Sequence, residues 1–91
     1  MATARRELVV KNRMGLHARP AARFVHCALK YRSTISVQTH AGTYDGKRIM
    51  ELLIANLDQG AKFTVEAEGP DAEEACERVE KLMKELEFEE P

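Results

Sequence analysis

The chain has no tryptophan, only five other aromatic side chains and two isolated cysteines among its 91 residues. No run of about 18 apolar residues occurs, so the sequence predicts no membrane-spanning helix. No apolar segment follows the arginines near its start, and we therefore expect no secretory signal. Cys27 and Cys76 lie among helix formers, which predicts two buried thiols in a reducing compartment, with the cytoplasm as the expected location.

Several motifs of known chemistry are also missing. Histidine and cysteine show none of the paired spacings typical of metal sites, and no glycine-rich phosphate-binding loop occurs. We therefore expect neither a metal nor another cofactor. A small RNA-binding module remains an alternative because half of the chain is basic, but such modules stack bases on sheet aromatics, which are scarce here. We expect no nucleic-acid partner.

The composition is that of an ordinary globular domain, with 44% hydrophobic and 32% charged residues. Ninety-one residues suffice for one domain, which we assign to residues 1–91. A domain of this size has no room for a deep substrate cavity. The sequence therefore predicts surface chemistry in which a large partner supplies the rest of the site.

Charge is divided unevenly along the chain, although the formal net charge is only -1. Residues 1–50 carry ten lysines and arginines against two acids, whereas residues 51–91 carry four against thirteen. Such a division predicts one basic and one acidic face. A basic face attracts phosphate groups, nucleic acids or acidic proteins.

Alternating and helical patterns predict the element order β-α-β-β-α-β-α. The predicted strands are 7–12, 33–39, 43–44 and 61–68, and the predicted helices are 18–30, 48–56 and 71–86. The first helix is expected to bury Leu29, and the acidic tail from Glu87 is expected to fray. Because the strands alternate, one sheet face should be wet and the other covered by helices, as in a two-layer antiparallel α+β sandwich.

His17 is predicted to lie where the first helix starts, because Pro20 fits the first turn of a helix. Amide N–H groups at that end lack helical partners and bind anions, and Arg19 adds a guanidinium suited to phosphate oxygens. The positive surroundings should favour the neutral, nucleophilic imidazole. This arrangement suits a residue that accepts and releases a phosphoryl group, although position alone also fits an ordinary exposed histidine.

Residues 15–21, GLHARPA, resemble the phosphohistidine motif of HPr, the phosphocarrier of the bacterial phosphoenolpyruvate-dependent phosphotransferase system. Chain length, element order and the segments 57–60 and 66–69 are also similar to HPr. The resemblance implies an open-faced sandwich of a four-stranded antiparallel sheet with three helices on one side. It also implies that enzyme I phosphorylates His17 at Nδ1 beside Ala18 and Arg19, and that an acidic EIIA-type protein receives the group.

The resemblance further implies a carrier within a transferase system, not a self-sufficient enzyme. We expect a monomer, because the sequence gives no firm evidence for an oligomer. Members controlled by HPr kinase have a serine where this chain has Arg48, so we expect no serine phosphorylation there. The apolar Met14 and the pair Gly69-Pro70 are similar to the nitrogen-branch paralogue. A regulatory carrier that acts by phosphorylation-dependent docking is therefore the alternative to a role in sugar transport.

The second predicted helix is unusually apolar for a surface element. Ile49, Met50 and Leu53 match the apolar contact patch of HPr, and five apolar positions in six residues exceed what one buried stripe needs. We therefore predict that part of this surface is exposed and docks partners, with positive charge from Arg23 and Arg48 around it. Burial of Leu52, Leu53 and Ile54 in the core is the alternative.

Overall fold

Four strands and three helices follow one another in the order β-α-β-β-α-β-α along residues 2–89, the part of the chain that the computed structural model describes. The strands are β1 (Ala2–Val9), β2 (Thr34–Thr39), β3 (Gly42–Asp45) and β4 (Lys62–Gly69). The helices are α1 (Ala18–Ala28), α2 (Ile49–Ala55) and α3 (Ala72–Glu89). The predicted element order is confirmed. No helix within these residues combines the length and the apolar character needed to cross a bilayer.

The strands form one antiparallel sheet in the order β1-β4-β2-β3. The central strand β4 buries Phe63 and Val65, whereas the side chains of Thr64 and Glu66 alternate with them and remain partly exposed. This alternation leaves one sheet face in water and gives the other to the helices. The predicted α+β open-faced sandwich is therefore confirmed.

The first strand differs from the predicted 7–12, because β1 starts at Ala2 and ends at Val9. Its whole length pairs with β4, from Ala2 opposite Gly69 to Val9 opposite Lys62. Arg5 is exposed and forms an ion pair with Glu66 of β4. Cross-strand pairing of this kind outweighs the low strand propensity of the first residues, which is why the sequence pattern missed them.

The hydrophobic core lies between the sheet and the helices. Its largest fully buried side chains come from both layers: Phe24, Leu16, Leu52, Leu82, Val10, Val37, Val65 and Val79. The predicted burial of the two cysteines is confirmed, and both are free thiols. Burial raises the pKa of Cys27 and of Cys76, so both thiols stay protonated and unreactive at neutral pH.

Two helix ends differ from the prediction. Helix α1 ends at Ala28 and the chain turns away, which leaves Leu29 60% exposed instead of buried. Helix α3 continues to Glu89, so the expected fraying from Glu87 is wrong for the described residues. Residues 90 and 91 of that tail lie outside the described part. Arg23 explains the longer helix, because its guanidinium forms ion pairs with Glu85 and Glu89.

Candidate functional site

His17 occupies the N-cap position of α1, as predicted. Its backbone is extended, with φ -122° and ψ 163°, and its side chain makes no capping hydrogen bond to the helix. The imidazole is about one-third exposed, at 30% of its reference area. The first amides of the helix have no intrahelical partners, so an accessible ring stands beside a set of anion-binding N–H groups.

The residue after the histidine has an unusual backbone. Ala18 is exposed and has φ +48°, in the left-handed region that residues with a Cβ rarely adopt. Such a conformation costs on the order of 1–3 kcal/mol and persists only when the surrounding structure imposes it. The regular helical conformation of α1 therefore starts only after Ala18.

The segment before the histidine is held from two sides. The buried side-chain amide of Asn12 donates to the carbonyl oxygen of Gly15 at 2.8 Å, and the amide of Leu16 donates to the carbonyl oxygen of Leu57 at 2.8 Å. Gly15 has φ +69° and passes so close to the 57–58 backbone that a Cβ there would collide with the Leu57 oxygen. The loop that carries His17 is thus fixed against the loop between α2 and β4.

That second loop brings a carboxylate to the imidazole. The Oδ1 atom of Asp58 lies 2.7 Å from Nε2 of His17, and the Asp58 side chain is 71% exposed. The two residues are 41 positions apart in sequence, and no local pattern links them. The sequence does not predict this contact, because the similarity of residues 57–60 to HPr does not indicate which side chain they place beside His17.

A groove of about 670 Å³ lies next to the start of α1, between that helix and the end of α3. Arg13, Arg19 and Arg23 line it together with Glu89. Arg19 is exposed and lies two positions after His17 in the chain. The groove therefore presents arginine side chains beside the first turn of α1.

Arg23, which is predicted to add positive charge around the apolar surface, pairs with acidic side chains at the end of α3. Its side chain is only 33% exposed, with Nη1 2.7 Å from Glu89 and Nη2 3.4 Å from Glu85. The acidic end of α3 thus compensates the charge of Arg23.

Helix α2 has a partly exposed apolar surface, as predicted. Met50 is 65% and Leu53 37% exposed, Ile49 is half-buried, and Leu52 is fully buried. Ile54, which the prediction left outside the patch, is 67% exposed and extends it. The alternative that placed Leu53 and Ile54 in the core is wrong.

Arg48 is the N-cap residue of α2 and is well exposed, with Nε 3.7 Å from Oδ2 of Asp45. It therefore lies at the edge of the apolar surface. Elsewhere in the chain, no group of three or more His, Cys, Asp or Glu side chains within residues 2–89 is arranged to hold a metal ion.

Comparison with known sequences identifies relatives over most of the chain. A family model described as the PTS HPr component phosphorylation site matches residues 4–85. The phosphocarrier protein HPr of Buchnera aphidicola is 40% identical over 73 residues, which cover 80% of this chain and 86% of the relative. The phosphocarrier protein NPr of Proteus mirabilis is 32% identical over 78 residues, which cover 85% of this chain and 87% of the relative.

Solved structures agree with the sequence matches. An HPr structure from Thermoanaerobacter tengcongensis superposes with a TM-score of 0.92 at 36% identity, covering 97% of this chain and 99% of that one. An HPr structure from Bacillus anthracis superposes with a TM-score of 0.85 at 33% identity, covering 90% of this chain and 98% of that one. Sequence, fold and the surroundings of the histidine at the N-cap position of α1 lead to one assignment: the chain belongs to the HPr family of phosphocarrier proteins.

Proposed function

We propose that this chain accepts a phosphoryl group from phospho-enzyme I on His17 and passes it to an EIIA-type protein, in the cytoplasm and as a monomer. The observation that carries the proposal is the position of the imidazole, partly exposed at the N-terminus of α1. Such a ring is accessible to a phosphorylated partner and stands where the helix stabilises added negative charge.

The proposed chemistry is a reversible displacement at phosphorus. The lone pair of Nδ1 attacks the phosphoryl group of the donor, the new N–P bond forms, and the donor atom recovers the electron pair of the bond that breaks. The phosphoryl oxygens then meet the amides of residues 18 and 19 and the guanidinium of Arg19. Delivery to the acceptor runs the same step in reverse, so the chain is a transferase component that needs two partners.

The proposed docking surface is the exposed face of α2. Ile49, Met50 and Leu53 supply its apolar part, and Arg48 supplies positive charge at its edge. An apolar centre with a charged rim is typical of short-lived complexes whose association is accelerated by opposite charges on the two partners. Enzyme I and an EIIA-type protein with an acidic face are the proposed partners. Arg23 contributes to the docking surface when its ion pairs with Glu85 and Glu89 break.

The nitrogen branch is the second candidate role, in which docking of the phosphorylated or free form regulates other proteins. The 32% identity to NPr of Proteus mirabilis and the exposed Met14 before the motif favour it, whereas the 40% identity to HPr of Buchnera aphidicola favours sugar transport. Competition between a sugar-type and a nitrogen-type EIIA protein for the phosphorylated chain, at equal concentrations, decides between the branches.

The proposal is tested by incubating the purified chain with enzyme I and phosphoenolpyruvate. We expect one phosphoryl group that is labile in acid and stable in alkali, and we expect His17→Ala to abolish it. His40→Ala is the matched control, because His40 is also exposed but lies in the turn between β2 and β3. Labelling that survives in His17→Ala, or that is lost in His40→Ala, contradicts the assignment.

A further inference from the structure

The carboxylate of Asp58 is held beside His17 by backbone contacts on both sides of its loop. The amide of Leu16 bonds to the carbonyl oxygen of Leu57, and the amide of Gly60 donates to the carbonyl oxygen of Val10 at 2.7 Å. The side chain of Gln59 also donates to the carbonyl oxygen of Lys11 at 3.1 Å. These bonds tie residues 57–60 to residues 10–16, so Asp58 and His17 are presented to each other by one framework.

The contact distinguishes the two nitrogens of the ring. A neutral imidazole carries one N–H group, and a carboxylate only accepts hydrogen bonds. With Oδ1 of Asp58 2.7 Å from Nε2, the proton belongs on Nε2 and Nδ1 keeps its lone pair. The orientation of the ring and the choice of its reactive nitrogen are then set by one side chain from another loop.

We infer that Asp58 is a positioning residue that holds His17 in the tautomer whose Nδ1 accepts the phosphoryl group. The effect on phosphoryl transfer rests on the proposed function. The tautomer itself is a property of the unmodified chain and can be measured without phosphorylation. Asp58 acts only through the imidazole and does not contact the phosphoryl group.

The same contact serves the phosphorylated state. When the Nδ1 lone pair forms the bond to phosphorus, the proton on Nε2 remains in place and the ring acquires a positive charge. The Asp58 carboxylate lies next to that charge and compensates it. A ring that stays protonated at Nε2 also leaves as neutral imidazole when the acceptor attacks, so Asp58 supports both acceptance and delivery.

The expected size of the effect is moderate because Asp58 is 71% exposed and water screens its charge. Removal of a carboxylate that orients a metal-ligating histidine typically lowers metal affinity or activity by ten- to a hundredfold, and we use this range as a guide for a carboxylate that orients His17. We expect Asp58→Ala to slow phosphoryl acceptance about tenfold, at the lower end of that range. Asp58→Asn keeps an oxygen acceptor without the charge, and its rate should lie between those of the wild type and Asp58→Ala.

The test measures the tautomer and the transfer rate separately. Nitrogen-15 NMR of the unmodified chain, at a pH where the imidazole is neutral, should show a protonated Nε2 and an unprotonated Nδ1. In Asp58→Ala the Nδ1–H tautomer should become measurable. Glu68→Gln is the control, because it removes one exposed carboxylate at the far end of β4 and should change neither the NMR signals nor the rate.

Two results would overturn the inference. One is a protonated Nδ1 in the wild type, or nitrogen signals that Asp58→Ala leaves unchanged. The other is a normal rate of phosphoryl acceptance in Asp58→Ala once its fold is verified by denaturant unfolding. If instead the wild type accepts no phosphoryl group on His17, the proposed function fails, while the tautomer measurement still decides whether Asp58 positions the ring.

Discussion

At the scale of single residues, Gly15 lies directly against the loop that carries Asp58. Its left-handed backbone and its contact with the Leu57 carbonyl leave no space for a side chain. Any residue with a Cβ at this position must push the 57–58 backbone away, and Asp58 moves with it. The glycine therefore couples the stability of the loop to the geometry of the imidazole.

We predict that Gly15→Ala destabilises the protein by about 3 kcal/mol, because backbone strain and a steric collision act together. Gly60→Ala is the matched control, since Gly60 also has a positive φ but no atom within 4 Å of an added Cβ. It should cost about 1 kcal/mol, from strain alone. Urea unfolding measures both variants, and equal losses would show that the collision contributes nothing.

At the scale of elements, Asp71 connects the start of α3 to the segment before β2. Its carboxylate accepts bonds from the Ser33 hydroxyl at 2.6 Å and from the amides of Arg32 and Ser33, both at 2.9 Å. These bonds, that of the Ser33 hydroxyl foremost, lower the pKa of Asp71 from 3.8 to about 2. The ionised carboxylate therefore contributes to the stability of the fold.

The sign of this shift predicts how stability depends on pH. Because the pKa of Asp71 is lower in the folded than in the unfolded chain, its contribution is complete above about pH 4 and is lost as the pH falls through about 2. The wild type should unfold at higher denaturant than Asp71→Asn at neutral pH, and the difference should shrink below about pH 4 and be small at about pH 2. A difference that stays constant over this interval contradicts the prediction.

The end of α3 competes for a cation of α1, because Glu85 and Glu89 pair with Arg23 beside the arginine-lined groove. An acidic partner must displace these carboxylates before it can use Arg23. The acidic half of the chain thus reduces the electrostatic attraction that the basic half provides.

We predict that Glu89→Gln raises the association rate with enzyme I about threefold at low salt, because it leaves Arg23 more positive, and that high salt removes the gain. Glu77→Gln changes the net charge equally from another exposed position on α3. Stopped-flow association experiments compare the two variants. An equal gain in both would mean that only the net charge matters and that the ion pair has no specific role.

At the scale of the whole molecule, the sequence predicts architecture better than contacts. Strand alternation and helix periodicity are local signals, so the order of elements, the wet sheet face and the position of His17 could be predicted. The first residues of β1 and the last turn of α3 could not, because pairing with β4 and the ion pairs of Arg23 stabilise them. Asp58 was missed for the same reason, since only the fold brings it to His17.

Backbone bonds join residues 10–16 to residues 57–60. The motif that contains His17 and the side chain that acts on its imidazole therefore come from different parts of the chain. Substitution at position 58 leaves the seven-residue signature intact and still changes the electronic state of the imidazole. Two homologues with identical signatures can therefore hold their phosphoryl groups at different transfer potentials. A substitution at position 58 changes the transfer potential of the phosphoryl group and leaves the signature sequence unchanged.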